Sequence, residues 1–172
     1  MQRLWYFFVW LSRITHCRGF GIQSPADYWL VRYVINEHWP YYQYDTLGLE
    51  DDWLTRKLGR LYFRLANWCQ PMMIESDDYQ EYLQAGCRKA IFGESTELIR
   101  VSLGKMSQNQ IVHIYNKVRE DSVLIVEKIS EYPELWRQMV ADKQSVITFD
   151  LYYCGIILFN KKRHKQNYIV NF

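Results

Sequence analysis

The sequence predicts an α/β fold: a mixed sheet between helices, ending in an antiparallel hairpin, with a helical extension at the N-terminal end. Three observations predict it. Val123-Leu-Ile-Val126 is a short unbroken apolar run, rich in β-branched residues, followed at once by Glu127-Lys128. Strands covered by helices on both faces read this way, because neither face meets water. Strand-like and helix-like segments alternate from Pro71 to Val140, the pattern of parallel strands with helical crossovers. Three β-like pieces, Val146–Tyr153, Gly155–Asn160 and Asn167–Phe172, then follow too closely for helices between them. The last two, joined by the turn Lys161-Lys-Arg-His-Lys165, predict the hairpin.

The elements follow in order. Gln2 to Thr15 places Leu4, Phe7, Phe8, Leu11 and Ile14 on one face at helical spacing. The run Leu4–Leu11 is too short to span a bilayer and lacks a small-residue cleavage pattern. It predicts a buried or partner-covered helix, with an interfacial membrane helix as the sharper alternative. Ser24-Pro25-Ala26-Asp27 opens a second helix, with Ser24 as cap and Pro25 at the first position. Asp51 and Asp52 favour the positive end of a third helix running to about Trp68. Its stripe is Leu54, Leu58, Leu61, Tyr62 and Leu65, and Arg56, Lys57, Arg60 and Arg64 read as a solvated face.

The character changes at Pro71, which divides a helical extension, residues 1–70, from a core, residues 71–172. Met72–Glu75 predicts a strand, and Ser76 an N-cap for a helix carrying Tyr79, Tyr82 and Leu83 to about Ala85. Lys89–Phe92 and Glu97–Leu103 are further strands. Ser107-Gln-Asn-Gln110 is a capping box that opens a helix with Ile111, Ile114, Tyr115 and Val118 on one side. Pro133 starts a helix carrying Leu135, Trp136, Met139 and Val140.

Charge and cysteine usage narrow the function classes. The net charge of +2 points to no nucleic-acid partner. Pro71–Asn160 holds nine Lys/Arg against thirteen Asp/Glu, whereas Lys161–Phe172 holds four basic residues and no acid. That basic run reads as a solvated turn, with contact to an anion or a membrane surface as the sharper alternative. Cys17, Cys69, Cys87 and Cys154 form no C-x-x-C pair and no secretory leader precedes them, which predicts free thiols and a cytoplasmic protein without a transmembrane segment. His16-Cys17 is the only close His/Cys pairing, too little for zinc. No metal site is expected. Neither Cys154 nor His113 has a partner in sequence that would make it a nucleophile or base.

The order Met72–Glu75, helix, further strands, Ser122–Ile129, helix and terminal β pieces resembles class I S-adenosylmethionine-dependent methyltransferases. The strand ending in Glu127-Lys128-Ile129 is similar to the strand ending in an acidic pair in catechol-methyltransferase-like members. Val146–Asn160 with Asn167–Phe172, and His16–Tyr28 with Gly-Ile-Gln-Ser-Pro, are similar to the two ends of a methyltransferase-like family of Bacteroidetes-type bacteria, whose N-terminal motif is of His-Gly-x-His-Ser-Pro-Phe type. The resemblance implies a Rossmann-like, methyltransferase-type mixed sheet. It also implies S-adenosylmethionine as cofactor, held near Glu75, Glu94 and Glu127, with Tyr79 or His16 facing the substrate.

The chain departs from that family where the cofactor would sit. The first strand should run into a glycine-rich loop, since only Gly lets backbone approach so closely. Here it runs into Glu75-Ser-Asp-Asp-Tyr-Gln, with no Gly before Gly86. One strand–helix unit between residues 76 and 97 is also missing. The expectation is therefore a degenerate, non-catalytic methyltransferase-like domain that binds no cofactor and acts through a protein partner or as a homodimer. Trp5, Trp10, Trp39 and Tyr41 are the contact residues expected, because large aromatics anchor interfaces. An active methyltransferase with an atypical site is the alternative.

Overall fold

The fold is given by a computed structural model that describes residues 2–172, with side chains from Leu4 onward. Seven strands form one sheet among the described residues: β1 (Met73–Glu75), β2 (Ile91–Phe92), β3 (Leu98–Ser102), β4 (Val123–Glu127), β5 (Ile147–Asp150), β6 (Cys154–Leu158) and β7 (Gln166–Ile169). Their order is β2-β1-β3-β4-β6-β5-β7. β2, β1, β3 and β4 pair in parallel, and β6 lies antiparallel between β4 and β5.

Helices cover both faces. One layer holds α2 (Pro25–Leu30), which continues as a single wide turn over Val31–Ile35, α3 (Trp53–Cys69) and α4 (Gln80–Gly86). The other holds α5 (Gln108–Lys117) and α6 (Pro133–Ala141). Two apolar clusters result. Leu61, Leu65 and Leu83 meet Ile74, Leu98, Ile125 and Ile156 on the first face. Ile111, Ile114 and Trp136 meet Ile99, Leu124, Val126 and Ile157 on the second. Every residue of β4 is buried, as its uninterrupted apolar run requires.

Local signals set the helix starts. Asp52 Oδ1 accepts from the Leu54 and Thr55 N–H groups at 2.7 and 3.1 Å, and Ser24 Oγ accepts from Asp27 N at 3.4 Å. Ser107 and Gln110 form the capping box, with Ser107 N donating to Gln110 Oε1 at 2.8 Å. Ser76 does not cap α4: its hydroxyl bonds the Asp78 carbonyl, and Asp77 is drawn to Arg100 and Lys105. The helix therefore starts later, after Tyr79.

The terminal strands differ from expectation. The antiparallel hairpin joins β5 to β6 through Leu151–Tyr153, and β7 pairs in parallel with the outer edge of β5, Ile147 facing Gln166. Composition decides this. β6 reads Cys-Gly-Ile-Ile-Leu and is almost wholly buried, so it takes the interior slot. β7 reads Gln-Asn-Tyr-Ile, leaves most of its side chains in water and suits only an edge. The basic turn carries the chain around the end of β5.

Helix α1 (Gln2–Ser12) does not bury its apolar stripe within the chain. Leu4, Phe7, Phe8 and Leu11, with Ile14 just beyond the helix, point outward, Leu4 at 65% exposure. The side that packs inward carries Val9 and Tyr6, with Tyr6 stacked on Trp53 at 4.5 Å. No helix among the described residues is long and apolar enough to cross a membrane. The four cysteines are free thiols.

Candidate functional site

The chain passes from β1 to β2 on one side and then back to β3 on the other, so β1 and β3 form a switch point. In open α/β sheets the crevice beyond the carboxyl ends at such a point is the default ligand site. Here a cavity of about 270 Å³ opens there, with Glu75, Asp77, Arg100, Ser102 and Lys105 in its walls.

Strand register places the three predicted carboxylates. Ile74, Leu98 and Val123 stand side by side, so Arg100 and Glu127 share their face, two and four residues on. Glu75 is on the opposite face beside Ile99. There its Oε2 takes Lys117 Nζ at 2.5 Å and the Ser95 N–H at 2.8 Å. Glu94 is exposed, 3.9 Å from the same Lys117 nitrogen and 3.6 Å from His113 Nε2. The structure thus joins Glu75 to Glu94 through Lys117 and separates both from Glu127.

Glu127 is the buried end of a charged chain. Its Oε1 accepts from Tyr62 OH at 2.6 Å and Arg100 Nε at 3.0 Å, and its Oε2 lies 2.6 Å from Arg100 Nη2. This two-point grip is the strong geometry for arginine and carboxylate. Arg100 Nη1 also pairs with Asp77, whose other oxygen holds Lys105 Nζ at 2.9 Å. The guanidinium sits 5.0 Å from the centre of the Tyr79 ring.

The electrostatics follow from these contacts. Burial works against the charge of Arg100, but Glu127, Tyr62 and Asp77 outweigh it and raise its pKa. Burial likewise opposes ionised Asp77, yet the Lys105 hydrogen bond and the two nearby cations hold its carboxyl below the usual range. Burial, then Cys154 and Glu127, push the Tyr62 hydroxyl well up. The sequence reading missed Arg100. The signal was one charge inside the apolar strand Leu98–Ser102, matching the acid that ends β4.

Backbone strain marks the same end of the sheet. Tyr79, Lys128 and Tyr152 adopt left-handed φ values of 57°, 62° and 73° without being glycine. Such conformations persist where surrounding structure over-determines them. Tyr79, Glu127 and Lys128 border a second cavity of about 350 Å³, with Tyr6, Thr55 and Tyr153 opposite.

The remaining predicted residues lie elsewhere. His16 uses its carbonyl to accept from Asn171 N at 3.0 Å and lines neither cavity that holds Tyr79, Glu75 or Glu127. Trp5 and Trp10 are exposed on α1. Trp39 and Tyr41 come together in the wall of another cavity, and Tyr41 OH donates to Glu37 Oε2 at 2.7 Å. No group of three His, Cys, Asp or Glu side chains among the described residues can hold a metal ion.

The basic side of α3 was expected in solvent, and the structure corrects this. Arg64 is buried, and Arg56, Lys57 and Arg60 are partly buried along the cavity that holds Trp39 and Tyr41. The loop from Asn36 to Tyr44 folds over that side of the helix, which helical periodicity alone does not reveal. Burial, and then the Arg64 charge, push the Lys57 pKa down to about 8.

The sign of the consequence is fixed. Between about pH 8 and the unfolded-chain value of about 10.4, the unfolded state binds more protons, so this group makes stability rise with pH. Below that window Lys57 is charged in both states and destabilises the fold. Lys57→Met is expected to stabilise the protein at pH 7 by up to about 3 kcal/mol, from a fall from 10.5 to about 8 at roughly 1.4 kcal/mol per pKa unit. The difference from wild type should shrink from pH 8 to pH 10 in urea melts. A difference independent of pH would refute the assignment.

Comparison with protein-family models, curated proteins and solved structures finds no match for the chain.

Proposed function

We propose that the chain is a methyltransferase-like domain that no longer transfers methyl groups and works as a binding or scaffold protein. The observation that carries this reading is the ion-paired wall of the switch-point crevice, where Arg100 spans Asp77 and Glu127 under the Tyr79 ring. S-adenosylmethionine brings a carboxylate, an ammonium and a sulfonium. To enter, it would have to separate a bidentate ion pair whose two side chains are almost completely buried, and breaking such pairs costs about 3–5 kcal/mol. The loop after β1 offers no glycine to admit it, and its left-handed position is taken by Tyr79.

The sheet supports the methyltransferase-type part of the reading. Its parallel strands, the switch beside β1 and the antiparallel strand between β4 and β5 suit a Rossmann-like fold of that type. The two-residue β2, with no strand beyond it, suits the loss of a strand–helix unit.

Titration calorimetry with S-adenosylmethionine and with S-adenosylhomocysteine tests the reading. No saturable heat at millimolar ligand is expected. Micromolar binding of either would overturn it and favour the active-enzyme alternative.

In this reading the outward stripe of α1 is a contact surface, with a second copy of the chain as occupant. Phe7→Ser with Phe8→Ser is expected to lower the mass seen by light scattering from dimer to monomer. A monomeric wild-type protein would remove the second copy.

A further inference from the structure

Two buried side-chain nitrogens lack a hydrogen-bond partner among the described residues: Asn36 Nδ2 and Arg60 Nε. Both belong to the wall of one cavity of about 720 Å³, between α3 and the loop that follows α2. Both are donors. Buried donors are normally satisfied, and each exception needs a reason. A cavity of this size is within the range of small-molecule sites.

The charge in the wall points the same way. Lys57, Arg60 and Arg64 follow one another at spacings of three and four, so they share one face of α3. Among the described residues none of them has a carboxylate within 4.0 Å. Lys57 Nζ sits over the rings of Trp53 and Phe172 at 4.9 and 4.5 Å, and the Arg60 guanidinium over Tyr44 at 4.6 Å. Arg64 spends its protons on the Val34 and Ile35 carbonyls and on Tyr44 OH, so its charge stays unbalanced.

The acids of the wall keep their charge, but none stands within 4.0 Å of Lys57, Arg60 or Arg64. Glu37 takes the Tyr41 hydroxyl, Asp51 takes the Tyr82 hydroxyl at 2.6 Å, and Asp45 is exposed. Burial lowers the pKa of His38 at the rim, and the Arg64, Arg18, Lys57 and Arg32 charges lower it further. Partly buried cations without counter-charge are costly. None of the three has a direct ion-pair partner in the wall, and a multiply charged anion is the complement that could contact all of them at once. The exposed Trp39 offers a ring face to a planar group.

We propose that this cavity binds a nucleoside phosphate. The Lys57 ammonium and the Arg60 guanidinium meet the phosphate oxygens, Arg64 supplies charge from behind, and the base stacks on Trp39. The site shares no residue with the sheet crevice, so it stands whether or not that crevice binds S-adenosylmethionine.

The test is calorimetric titration of the whole chain with ATP and, separately, with pyrophosphate in phosphate-free buffer. Saturable ATP binding is expected, with pyrophosphate at least about tenfold weaker for want of the stacked ring. Arg60→Gln and Lys57→Gln should each weaken ATP about tenfold or more, as loss of a charged hydrogen bond does. Neither should lower the thermal midpoint by more than a few degrees, because each loses contacts with aromatic rings but no hydrogen bond. Trp39→Ala should weaken ATP and leave pyrophosphate unchanged. Absence of saturable heat from both ligands at millimolar concentration would overturn the proposal. So would ATP binding that Arg60→Gln leaves intact. Binding to phosphatidylglycerol vesicles without ATP binding would move the site to lipid headgroups and equally overturn it.

Discussion

Arg100→Leu is expected to destabilise the protein by about 3–5 kcal/mol, the cost of leaving one partner of a buried pair without the other. Glu127, its side chain 8% exposed, would keep only the Tyr62 hydroxyl. Removing both charges is a different case. The double variant Arg100→Leu/Glu127→Leu puts two apolar side chains among Leu98, Ile125 and Tyr62, and buried pairs replaced this way are often neutral or better. It should recover most of the loss in urea melts with an unchanged slope. A single variant costing less than about 1 kcal/mol, the level of an exposed pair, would show that the pair is solvated after all. A double variant as unstable as the single would show that the loss comes from packing and not from charge.

The same pair bears on acid stability. Asp77 has a carboxyl held low in the fold, so its contribution is present above the ordinary value of about 3.9 and is lost as pH falls through the lowered one. Its side chain is half exposed, so solvent screening confines this to tenths of a kcal/mol. The buried Arg100–Glu127 contact dominates.

Gly86→Ala is the second large effect, expected to destabilise by about 3 kcal/mol. Helix propensity alone predicts the opposite sign, since Ala is better than Gly inside a helix by roughly 1 kcal/mol. Packing reverses it. A Cβ at position 86 would lie inside van der Waals contact of the Phe63 carbonyl oxygen and 3.0 Å from the carbonyl carbon. Both belong to the backbone of α3, so no side-chain rotation relieves the clash and α4 must back away from its partner helix. Gly93→Ala is the control. Its Cβ would meet only the flexible end of Met73 at 3.3 Å, without a left-handed backbone. A change within about 0.5 kcal/mol is expected there. Equal effects at the two positions, measured by chemical denaturation, would remove the close α3–α4 approach as the cause.

What could be read from the chain itself was local. The all-apolar run of β4, the acidic start of α3 at Asp51 and Asp52, the Ser24 cap, the capping box at Ser107 and the Pro133 start depend on neighbours three or four residues away, and those signals survive in the fold. Glu127 was legible as a site position because an acid at the end of a buried strand stands out against four apolar residues. Tyr79 was legible only as a helix residue; its left-handed turn over Arg100 was not.

The rest was decided by contacts distant in sequence. Arg100 meets Glu127 because β3 and β4 pair in a register that brings residues 27 apart onto one face, and nothing near either residue encodes that register. The basic side of α3 became a cavity wall because the loop through Trp39 and Tyr41 folds over it. Periodicity tells which residues share a side of a helix, but not what lies against that side. The apolar stripe of α1 was visible by the same rule, yet its outward direction came from Tyr6 and Val9 finding better packing, Tyr6 on Trp53 and Tyr153. Pairing placed the buried β6 beside β4 and the polar β7 on the outer edge of β5. Sequence alone determined the elements and their faces, since these rest on backbone geometry and near neighbours. Tertiary structure alone decided which faces meet, and therefore which charges are paired in the crevice and which are left without a partner in the α3 cavity.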